Sequence, residues 1–383
     1  MIKKKAHVVI IGGGILGASI AYNLAKMGCK DIVLLEREYL NSGATGRCGA
    51  GIRQQWGTEM NCILSRESVR LFEGLNDELQ YHHDIEFKQK GYLFVIYSDK
   101  EMEQFKKNVN LQNSLDIPSR LISPAEAKEI VPHLNTEKLL GATYCPTDGH
   151  ANPFHVTPAY AKAAERLGAS IQTYTEVVNI EKKAGRVTRV NTNKGSIDCD
   201  IVVNAAGGYA AKVGEMVGLN LPIYPERHEA MVSEPVNTFQ DPMVISLHHH
   251  LYIQQAPHGP FIMGQGDPNE PQSFNINSSW KFSLEVAKKV TEVLPALKDL
   301  KIVRQWAGLY DMSPDGQPIL GESPEVKGFF TSAGFSGHGF MIAPYTAKLM
   351  AQAILGQEPE MKIDMLNYDR FEKGELILEP AVV

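Results

Sequence analysis

The stretch that decides the fold is VVIIGGGILG, residues 8–17. Its apolar run is bounded by glycine and predicts a buried strand over 7–11. Helical character follows over 15–27 until Gly28, a residue type that suits a helix end. The next apolar run, 31–36, predicts a second strand. The three elements form a βαβ unit, whose crossover we expect to be right-handed.

The glycines of this unit have the G-x-G-x-x-G spacing of a dinucleotide-binding turn. Gly12 permits the tight turn, Gly14 lets the backbone approach a diphosphate, and Gly17 lets the helix pack on the strand. Glu36 ends the second strand about 20 residues further on, where an acidic side chain accepts ribose hydroxyls. Strand, turn, helix and acid together predict a nucleotide site rather than a bare glycine turn.

Length and composition bear on the number of domains, the kind of partner and the compartment. A chain of 383 residues favours two domains, and 43% hydrophobic with 21% charged residues is ordinary for a globular protein. The formal net charge of −6 argues against a nucleic-acid-binding surface. Five scattered cysteines without a CxxC pair favour a reducing cytoplasm. No apolar stretch approaches the roughly 20 residues that span a bilayer, so we expect a cytoplasmic protein without a membrane segment.

Three further glycine-rich or small-residue segments bear on the choice of nucleotide. They are the loop 41–53, the strand end DIVVNAAGG at 200–208, and GFSGHGF at 334–340, before a helix predicted over 344–355. Small residues let the backbone lie close to a flat ligand. Several such sites along one chain suit the extended FAD molecule better than a nicotinamide dinucleotide held by one turn.

The order of the predicted elements gives the domain organisation. We expect an α/β, two-domain fold: a Rossmann-type FAD-binding domain, discontinuous over 1–86, 149–220 and 320–383, and an antiparallel-sheet substrate domain over 87–148 and 221–319. Within the first domain, the central patterns predict a helix and four strands. These are a helix over 157–167 and strands over 170–178, 186–191, 197–204 and 328–332.

The motifs together resemble the D-amino-acid-oxidase superfamily of FAD enzymes, with a glutathione-reductase-2-like fold. VVIIGGGILGASIAYNLA, GATGRCGAGIRQQWG, DIVVNAAGG, WAGLYDMSPDGQPILG and GFSGHGFMIAP span most of the chain in the family's order. Within the superfamily, the chain looks most like the β subunits of heterotetrameric sarcosine oxidases and of dye-linked L-proline dehydrogenases. A closing RFEKGEL at 370–376 strengthens the second likeness.

The resemblance implies a set of residues that contact FAD along its whole length. They are Gly12, Gly14, Gly17, Glu36, Arg37, Ser42, Ala44, Thr45, Gly46, Arg47, Val177, Ala206, Gly207, Gly308, Gly337, Gly339, Phe340 and Met341.

Three positions depart from the family's pattern. Gly308 stands where monomeric sarcosine oxidases carry the cysteine that bonds the flavin, so we expect non-covalent FAD. Ile262 stands where those oxidases place a lysine that promotes reaction with oxygen, which favours a dehydrogenase. Met341 stands where many relatives carry a lysine that helps to hold the substrate carboxylate.

The resemblance also has implications for partners. Heterotetrameric relatives hold a second flavin, FMN, at a subunit interface, sometimes bonded to a β-subunit histidine. The matching segment here is 148–155, with Pro153 at the linking position. Covalent FMN is therefore disfavoured, interfacial FMN stays open, and we expect a second, α-type subunit and an electron acceptor.

Candidate catalytic residues follow from the needs of amino acid oxidation. The guanidinium of Arg53 matches the family's carboxylate anchor, because its planar fork binds both oxygens; a structural ion pair is the alternative. Arg47 is a second, weaker candidate for the same contact. Tyr252 lies near a family tyrosine that lines the pocket, or is a half-buried strand residue. His338, between two glycines, lies in the pocket or supports the loop.

The histidine run 248–250 lacks partners at ligand spacing, so we expect no metal site there. The sequence therefore predicts hydride transfer from a small secondary amino acid, L-proline first and sarcosine next, to flavin N5. Electrons would then pass to a second flavin or carrier. Two alternatives stay open: an oxidase that releases hydrogen peroxide, and a flavin subunit that only relays electrons.

Overall fold

The protein is described here by a computed structural model, in which residues 3–380 are placed. The outermost residues of the predicted ranges 1–86 and 320–383 lie outside this part of the chain. Within it, two large sheets dominate the architecture. The helices are α1 Ile15–Lys26, α2 Glu59–Glu78, α3 Asp99–Ser114, α4 Pro124–Ile130, α5 Pro153–Arg166, α6 Ala210–Glu215, α7 Trp280–Val293, α8 Gly339–Ile354 and α9 Arg370–Lys373.

The strands divide between sheets of six, eight, three and two members among residues 3–380. In chain order they are β1 Val8–Ile11, β2 Ile32–Leu35, β3 Gly51–Ile52, β4 Tyr92–Ile96, β5 Arg120–Ile122, β6 Gly141–Cys145, β7 Gly149–His150, β8 Ser170–Gln172, β9 Val177–Lys183, β10 Arg186–Thr192, β11 Gly195–Asp198, β12 Ile201–Asn204, β13 Tyr224–Ser233, β14 Met243–Ser246, β15 Leu251–Gln255, β16 Phe261–Gln265, β17 Ile302–Met312, β18 Ile319–Glu322 and β19 Phe329–Ala333.

The six-stranded sheet has the order β18-β19-β12-β1-β2-β8 and is parallel except at β18. Every residue of β1 and β2 is buried, as expected for strands covered on both faces. Helices α1, α2, α5 and α8 share the hydrophobic core on one face, and the three-stranded sheet β11-β10-β9 with α6 covers the other. The predicted Rossmann-type α/β unit is confirmed.

Two glycines of the predicted turn explain how α1 meets β1. A Cβ on Gly17 would overlap the carbonyl oxygen of Gly12, so the helix can approach the strand only without a side chain there. Gly12 itself has a φ of 117°, which L residues rarely adopt, and a Cβ on it would overlap the carbonyl of Ala205. Both roles are those expected from the G-x-G-x-x-G spacing.

The eight-stranded sheet has the order β17-β13-β16-β15-β14-β4-β6-β5. Its pairs are antiparallel except β14 with β4. Its strands come from two stretches, 92–145 and 224–312, and α4 and α7 share its hydrophobic core. The exact domain boundaries drawn from the sequence stay a prediction. Among residues 3–380, no helix has the length and apolar character that crossing a bilayer requires.

The structure corrects three predicted elements. The strand expected over 170–178 is two strands, β8 and β9, in different sheets. The strand expected over 197–204 divides in the same way into β11 and β12. The helix expected to begin at Pro344 begins at Gly339 instead. There the amide of Tyr345 hydrogen bonds to Ser68 Oγ of α2 at 3.3 Å, so a neighbouring helix supplies a partner beside the proline.

Candidate functional site

A long cleft lies at the carboxyl ends of β1, β2, β12 and β19, where strand order reverses about β1. In open α/β sheets, this switch point is where ligands bind. The cleft has an empty volume of about 1730 Å³. We call its two ends the Glu36 end and the Tyr310 end, after residues that line it.

Between the two ends, the cleft passes the N-terminus of α1. Gly14 is the N-cap of this helix, no side chain caps it, and no acidic residue stands in its first turn. The amide of Ile15 donates to Thr45 Oγ1 at 3.2 Å, which fixes the loop 41–47 against the helix. Free amides and the positive end of the helix dipole make this a ready site for a diphosphate.

At its other side, the glycine turn is held by Glu36. Glu36 Oε2 accepts a hydrogen bond from the amide of Gly13 at 2.7 Å, and Oε1 accepts one from the amide of Glu38 at 2.8 Å. The hydroxyl of Ser42 donates to Oε1 at 3.3 Å. Each carboxylate oxygen has two lone pairs, so Oε1 is fully used and Oε2 keeps one for a ligand's hydroxyl.

A stack of two aromatic rings with a cation at each end borders the Glu36 end. The guanidinium of Arg37 lies 3.9 Å from the centroid of the Tyr209 ring. The rings of Tyr209 and Phe274 have centroids 4.7 Å apart, and Lys212 Nζ lies 3.9 Å from the Phe274 centroid. Phe274 belongs to the connection between β16 and α7, so this stack joins the two halves of the molecule.

Most of the predicted FAD contacts line this cleft. They are Gly12, Gly14, Glu36, Arg37, Ser42, Ala44, Thr45, Arg47, Val177, Ala206, Gly207, Gly337, Gly339 and Phe340.

Four predicted contacts are placed elsewhere. Gly17 packs on Gly12, a Cβ on Gly46 would overlap the carbonyl oxygen of Asn41, and Met341 packs on hydrophobic cores. Gly308 lines an adjoining pocket, where a Cβ would lie 3.0 Å from Arg47 Cβ. Gly17 and Gly46 therefore shape the site through the backbone rather than through its surface.

The adjoining pocket, which we call the second pocket, opens at the Tyr310 end. It has an empty volume of about 520 Å³ and shares Ala44, Arg47, Cys48, Leu309 and Tyr310 with the cleft. Its remaining walls come from β13, β15, β16, β17 and the residue after β16, namely His228, Glu229, Ala230, Tyr252, Gln265, Gly266 and Gly308.

Among the catalytic candidates, Tyr252 is placed in the second pocket. Its ring fills the space beside Gly49 and Gly264, where a Cβ on Gly264 would overlap it. Burial raises the pKa of Tyr252 well above its usual value, so its hydroxyl stays protonated and able to donate. Arg47 also lies on the wall, with Nε donating to the carbonyl of Ser42 at 3.2 Å and Nη1 to that of Ala307 at 3.1 Å.

Arg53 and His338 are both buried against Trp56, and neither lines the cleft or the second pocket. Arg53 is 6% exposed, and its guanidinium stacks 3.5 Å from the centroid of Trp56. The His338 ring meets the Trp56 ring edge-on at 5.1 Å. Burial, with the nearby charge of Arg53, lowers the pKa of His338 to about 3, so the ring is neutral at physiological pH.

The sequence reasoning missed several residues of the second pocket. His228 and Glu229 of β13, Gln265 of β16 and Tyr310 of β17 meet there because antiparallel register brings their strands together. Ile262, expected near the flavin, pairs with Val232 and Gln254 instead and lies outside both pocket linings, where Gln265 is the β16 residue that reaches the wall. The alternation of β13 and β17 was the one sequence signal that could have indicated these residues.

The histidine run 248–250 forms the turn between β14 and β15. The rings of His248 and His249 contact each other and the ring of Tyr97. In the described part of the chain, no group of three or more His, Cys, Asp or Glu side chains is arranged to hold a metal ion.

Comparison with known proteins assigns the chain to a family. Residues 7–353 match the family described as FAD dependent oxidoreductase. The chain is 31% identical to the sarcosine oxidase subunit beta of Rhodobacter capsulatus over 382 residues, 98% of this chain and 91% of that protein.

Two solved structures superpose closely. L-proline dehydrogenase from P. horikoshii has a TM-score of 0.94 at 39% identity, over 98% of this chain and all of the other. Glycine oxidase from Geobacillus kaustophilus has a TM-score of 0.88 at 26% identity, over 96% and 99% of the two chains. With a family match over most of its length, this chain belongs to the FAD dependent oxidoreductases.

Proposed function

We propose that this protein oxidises a small secondary amino acid, L-proline first and sarcosine next, with FAD bound non-covalently in the cleft. The observation that carries the proposal is the second pocket, which joins the cleft at Arg47, Cys48 and Tyr310. A small molecule there would lie beside a ligand held in the cleft. The relatives named sarcosine oxidase and L-proline dehydrogenase support this choice of substrate.

The cleft has the shape and donors that FAD needs. The N-terminus of α1 suits the diphosphate, and Glu36 Oε2 retains acceptor capacity for a ribose hydroxyl. Gly43 and Gly207 leave open space where a Cβ would stand, so the backbone can lie against a flat ligand. When bound, FAD accepts a hydride from the carbon next to the substrate nitrogen.

Two features of the Tyr310 end support non-covalent binding. Gly308 offers no side chain for a bond to the flavin. Cys48 lines both cavities, but burial raises the pKa of its thiol to about 11, and the thiol donates to the carbonyl of Thr45 at 3.1 Å. A protonated, hydrogen-bonded thiol is a poor nucleophile. We expect acid precipitation to release all of the flavin; flavin retained on the precipitated protein would contradict this.

The protein's own residues then hold and orient the substrate. Arg53 is the proposed anchor of the carboxylate, acting from behind the pocket wall, and Arg47, which lines that wall, is the second candidate. Burial raises the pKa of Tyr310 to about 12, whereas the positive charge of Arg53 acts to lower it. The charge of Arg53 is therefore felt at a residue of the pocket wall. Tyr252 and Tyr310 close the pocket with protonated hydroxyls, which exclude water and can donate to a carboxylate.

We further propose that electrons leave through a partner rather than directly to oxygen. The similarity to a sarcosine oxidase subunit beta supports assembly with an α-type subunit, and interfacial FMN near 148–155 is part of the same proposal. An oxidase that releases hydrogen peroxide remains the second candidate, since the glycine oxidase structure superposes over nearly the whole chain.

The test is anaerobic mixing of the purified protein with L-proline, sarcosine, N,N-dimethylglycine and glycine, following flavin absorbance at about 450 nm. We expect the fastest bleaching with L-proline. Peroxide formed in air at the bleaching rate would favour the oxidase. FAD that binds but is bleached by none of these compounds would overturn the proposed reaction and leave electron relay.

A further inference from the structure

His228 has a position that the proposed reaction can use. It lies in β13 opposite Gly308 of β17, on the wall of the second pocket. Its ring stacks on the Tyr310 ring with centroids 3.6 Å apart and planes 13° apart. Beyond the ring edge, a Cβ on Gly266 would lie 3.7 Å from His228 Cε1, so the glycine leaves room beside that edge. The imidazole is therefore held flat against one wall.

The hydrogen bond of His228 determines which ring nitrogen carries the proton. Nε2 lies 3.0 Å from Glu226 Oε1, and the two side chains are 16% and 20% exposed. An ionised carboxylate can only accept a hydrogen bond, so Nε2 carries the proton. In the neutral ring, the lone pair is then on Nδ1. The carboxylate also stabilises the imidazolium that forms when Nδ1 takes a second proton.

Nδ1 makes no hydrogen bond to any residue in 3–380. It is also not a buried atom, so its surface is open to solvent. It is thus accessible to a molecule in the pocket. Other charged or titratable groups on the pocket walls are Arg47, Cys48, Glu229, Tyr252 and Tyr310. Arg47 is fixed by carbonyls, Glu229 accepts bonds from Ser279 and Gln305, and burial keeps Cys48, Tyr252 and Tyr310 protonated. Among the side chains of the wall, His228 is the one that presents an imidazole nitrogen with a lone pair.

We propose that His228 is a catalytic residue whose Nδ1 accepts the proton of the substrate's secondary ammonium, with Glu226 as its positioning partner. The inference rests on the proposed function, because it assigns the step that produces the neutral amine. The N–H bond of the ammonium breaks, a bond from that proton to Nδ1 forms, and the nitrogen keeps its lone pair. The positive charge moves to the imidazolium of His228, which is paired with Glu226. This imidazolium can then pass the proton to solvent.

The first test is the pH dependence of anaerobic flavin bleaching by L-proline in FAD-loaded protein. In His228→Asn, the free amine must supply the neutral form, so the acid limb of the rate profile moves to higher pH. The rate at pH 7 falls about 100-fold, in the range of general-base catalysis, and approaches the parental rate at high pH. In Glu226→Gln, the imidazolium loses its carboxylate, so the acid limb moves to lower pH. His258→Asn, at an exposed turn, is the matched control and keeps the parental profile.

The second test needs no turnover. Tetrahydrofuran-2-carboxylate has the shape of proline with a ring oxygen that can only accept a hydrogen bond. Its binding should draw a proton onto Nδ1, measured by calorimetry at pH 8 in buffers of different ionisation enthalpy. We expect proton uptake in the parent and in His258→Asn, and none in His228→Asn.

The outcomes separate the two proposals. A His228→Asn profile that coincides with the parental one, or unchanged proton uptake, overturns the role of His228 and leaves the proposed function standing. A parent that neither binds the compound nor is bleached by any secondary amino acid overturns the proposed function itself. FAD content and unfolding midpoint of each variant show whether the fold is kept.

Discussion

The guanidinium of Arg53 lies 3.5 Å from the centroid of the Trp56 ring, and its Nη1 donates to the carbonyl of Gln55 at 2.8 Å. Burial lowers the pKa of this guanidinium, yet arginine stays charged at any physiological pH. The side chain is thus held flat by an aromatic face, and we predict that this fixes its planar fork for the substrate carboxylate.

Replacement of Arg53 tests this role. Arg53→Met keeps the length of the side chain and loses the charge. We expect FAD to stay bound, because Arg53 does not line the cleft, while bleaching by L-proline slows by at least about 100-fold through loss of a charge-assisted pair. Stopped-flow absorbance measures the rate. Bleaching at the parental rate would assign the carboxylate to Arg47, and Arg47→Met would then show the defect.

Two helical glycines provide a matched pair for cofactor binding. Gly17→Ala in α1 places a methyl group into the carbonyl of Gly12, so we expect FAD binding to be lost or weakened at least about 100-fold. Gly74→Ala in α2 meets nothing within 4 Å and should stabilise the protein by about 0.5–1 kcal/mol with FAD affinity unchanged. Titration of protein with FAD, followed by flavin fluorescence, gives both affinities. Equal affinities would refute the packing role of Gly17.

The ion pair of Asp315 and Arg370 should carry stability rather than catalysis. Both side chains are buried, and two contacts of 2.8 and 2.9 Å make the pair bidentate. Arg370→Leu leaves an unpaired buried carboxylate, so we expect a loss of about 3–5 kcal/mol of unfolding free energy. Lys373→Ala breaks the exposed pair with Asp369 on the same helix and should cost less than about 1 kcal/mol. Urea unfolding compares them, and similar losses would contradict the buried role.

The same pair predicts behaviour in acid. Burial alone would raise the pKa of Asp315, but hydrogen bonds and charge from Arg370 outweigh it and leave that pKa lowered. The stabilisation is complete above the unfolded-state value of about 3.9 and is lost as pH falls through the lowered folded-state value. Arg370→Leu should therefore flatten this part of the acid limb of stability below about pH 4. An unchanged limb in thermal unfolding would count against it.

Asp311 should have the opposite dependence on pH. Burial raises its pKa to about 6, although the amide of Gly334 donates to Oδ2 at 2.7 Å. The folded protein then holds this proton more tightly than the unfolded chain, so the contribution of Asp311 to stability is complete below about pH 4 and is lost as pH rises through about 6. Asp311→Asn cannot ionise. Relative to the parent, its unfolding free energy should improve by about 2 kcal/mol between pH 4.5 and 7.5. A constant difference in urea unfolding would disprove the raised pKa.

Much of the cleft could be predicted because its signals are local. The turn at Gly12 to Gly17 and the acid at Glu36 follow from spacing within one βαβ unit. The strand errors have a different origin. Tyr174 has a φ of 52°, and the amide of Thr175 donates to the carbonyl of Glu36, so the chain turns away from the six-stranded sheet inside the predicted strand. Partners distant in sequence made that turn favourable, and periodicity does not record them.

The second pocket was less predictable for the same reason. His228 and Gly308 are opposite each other only because β13 and β17 pair in one register, and a shift by one residue would turn His228 to the other face. The placement of Arg53 behind the cleft depends likewise on Trp56 and on burial, not on its position in the loop. Residue types could be predicted, whereas which of them meet at the pocket wall could not.

The order of strands about β1 has a consequence for how the protein is made. Val8 neighbours Ile32 on one side and Ile201 on the other, and β12 in turn needs β19 at 329–333 beside it. Such long-range pairing closes late and folds slowly. During synthesis, the glycine turn emerges early, but the cleft stays incomplete until the C-terminal segment with β19 has been made. We therefore expect the cofactor to bind only after β19 is in place, and a chain interrupted before β19 to need chaperones rather than to act as a partial enzyme.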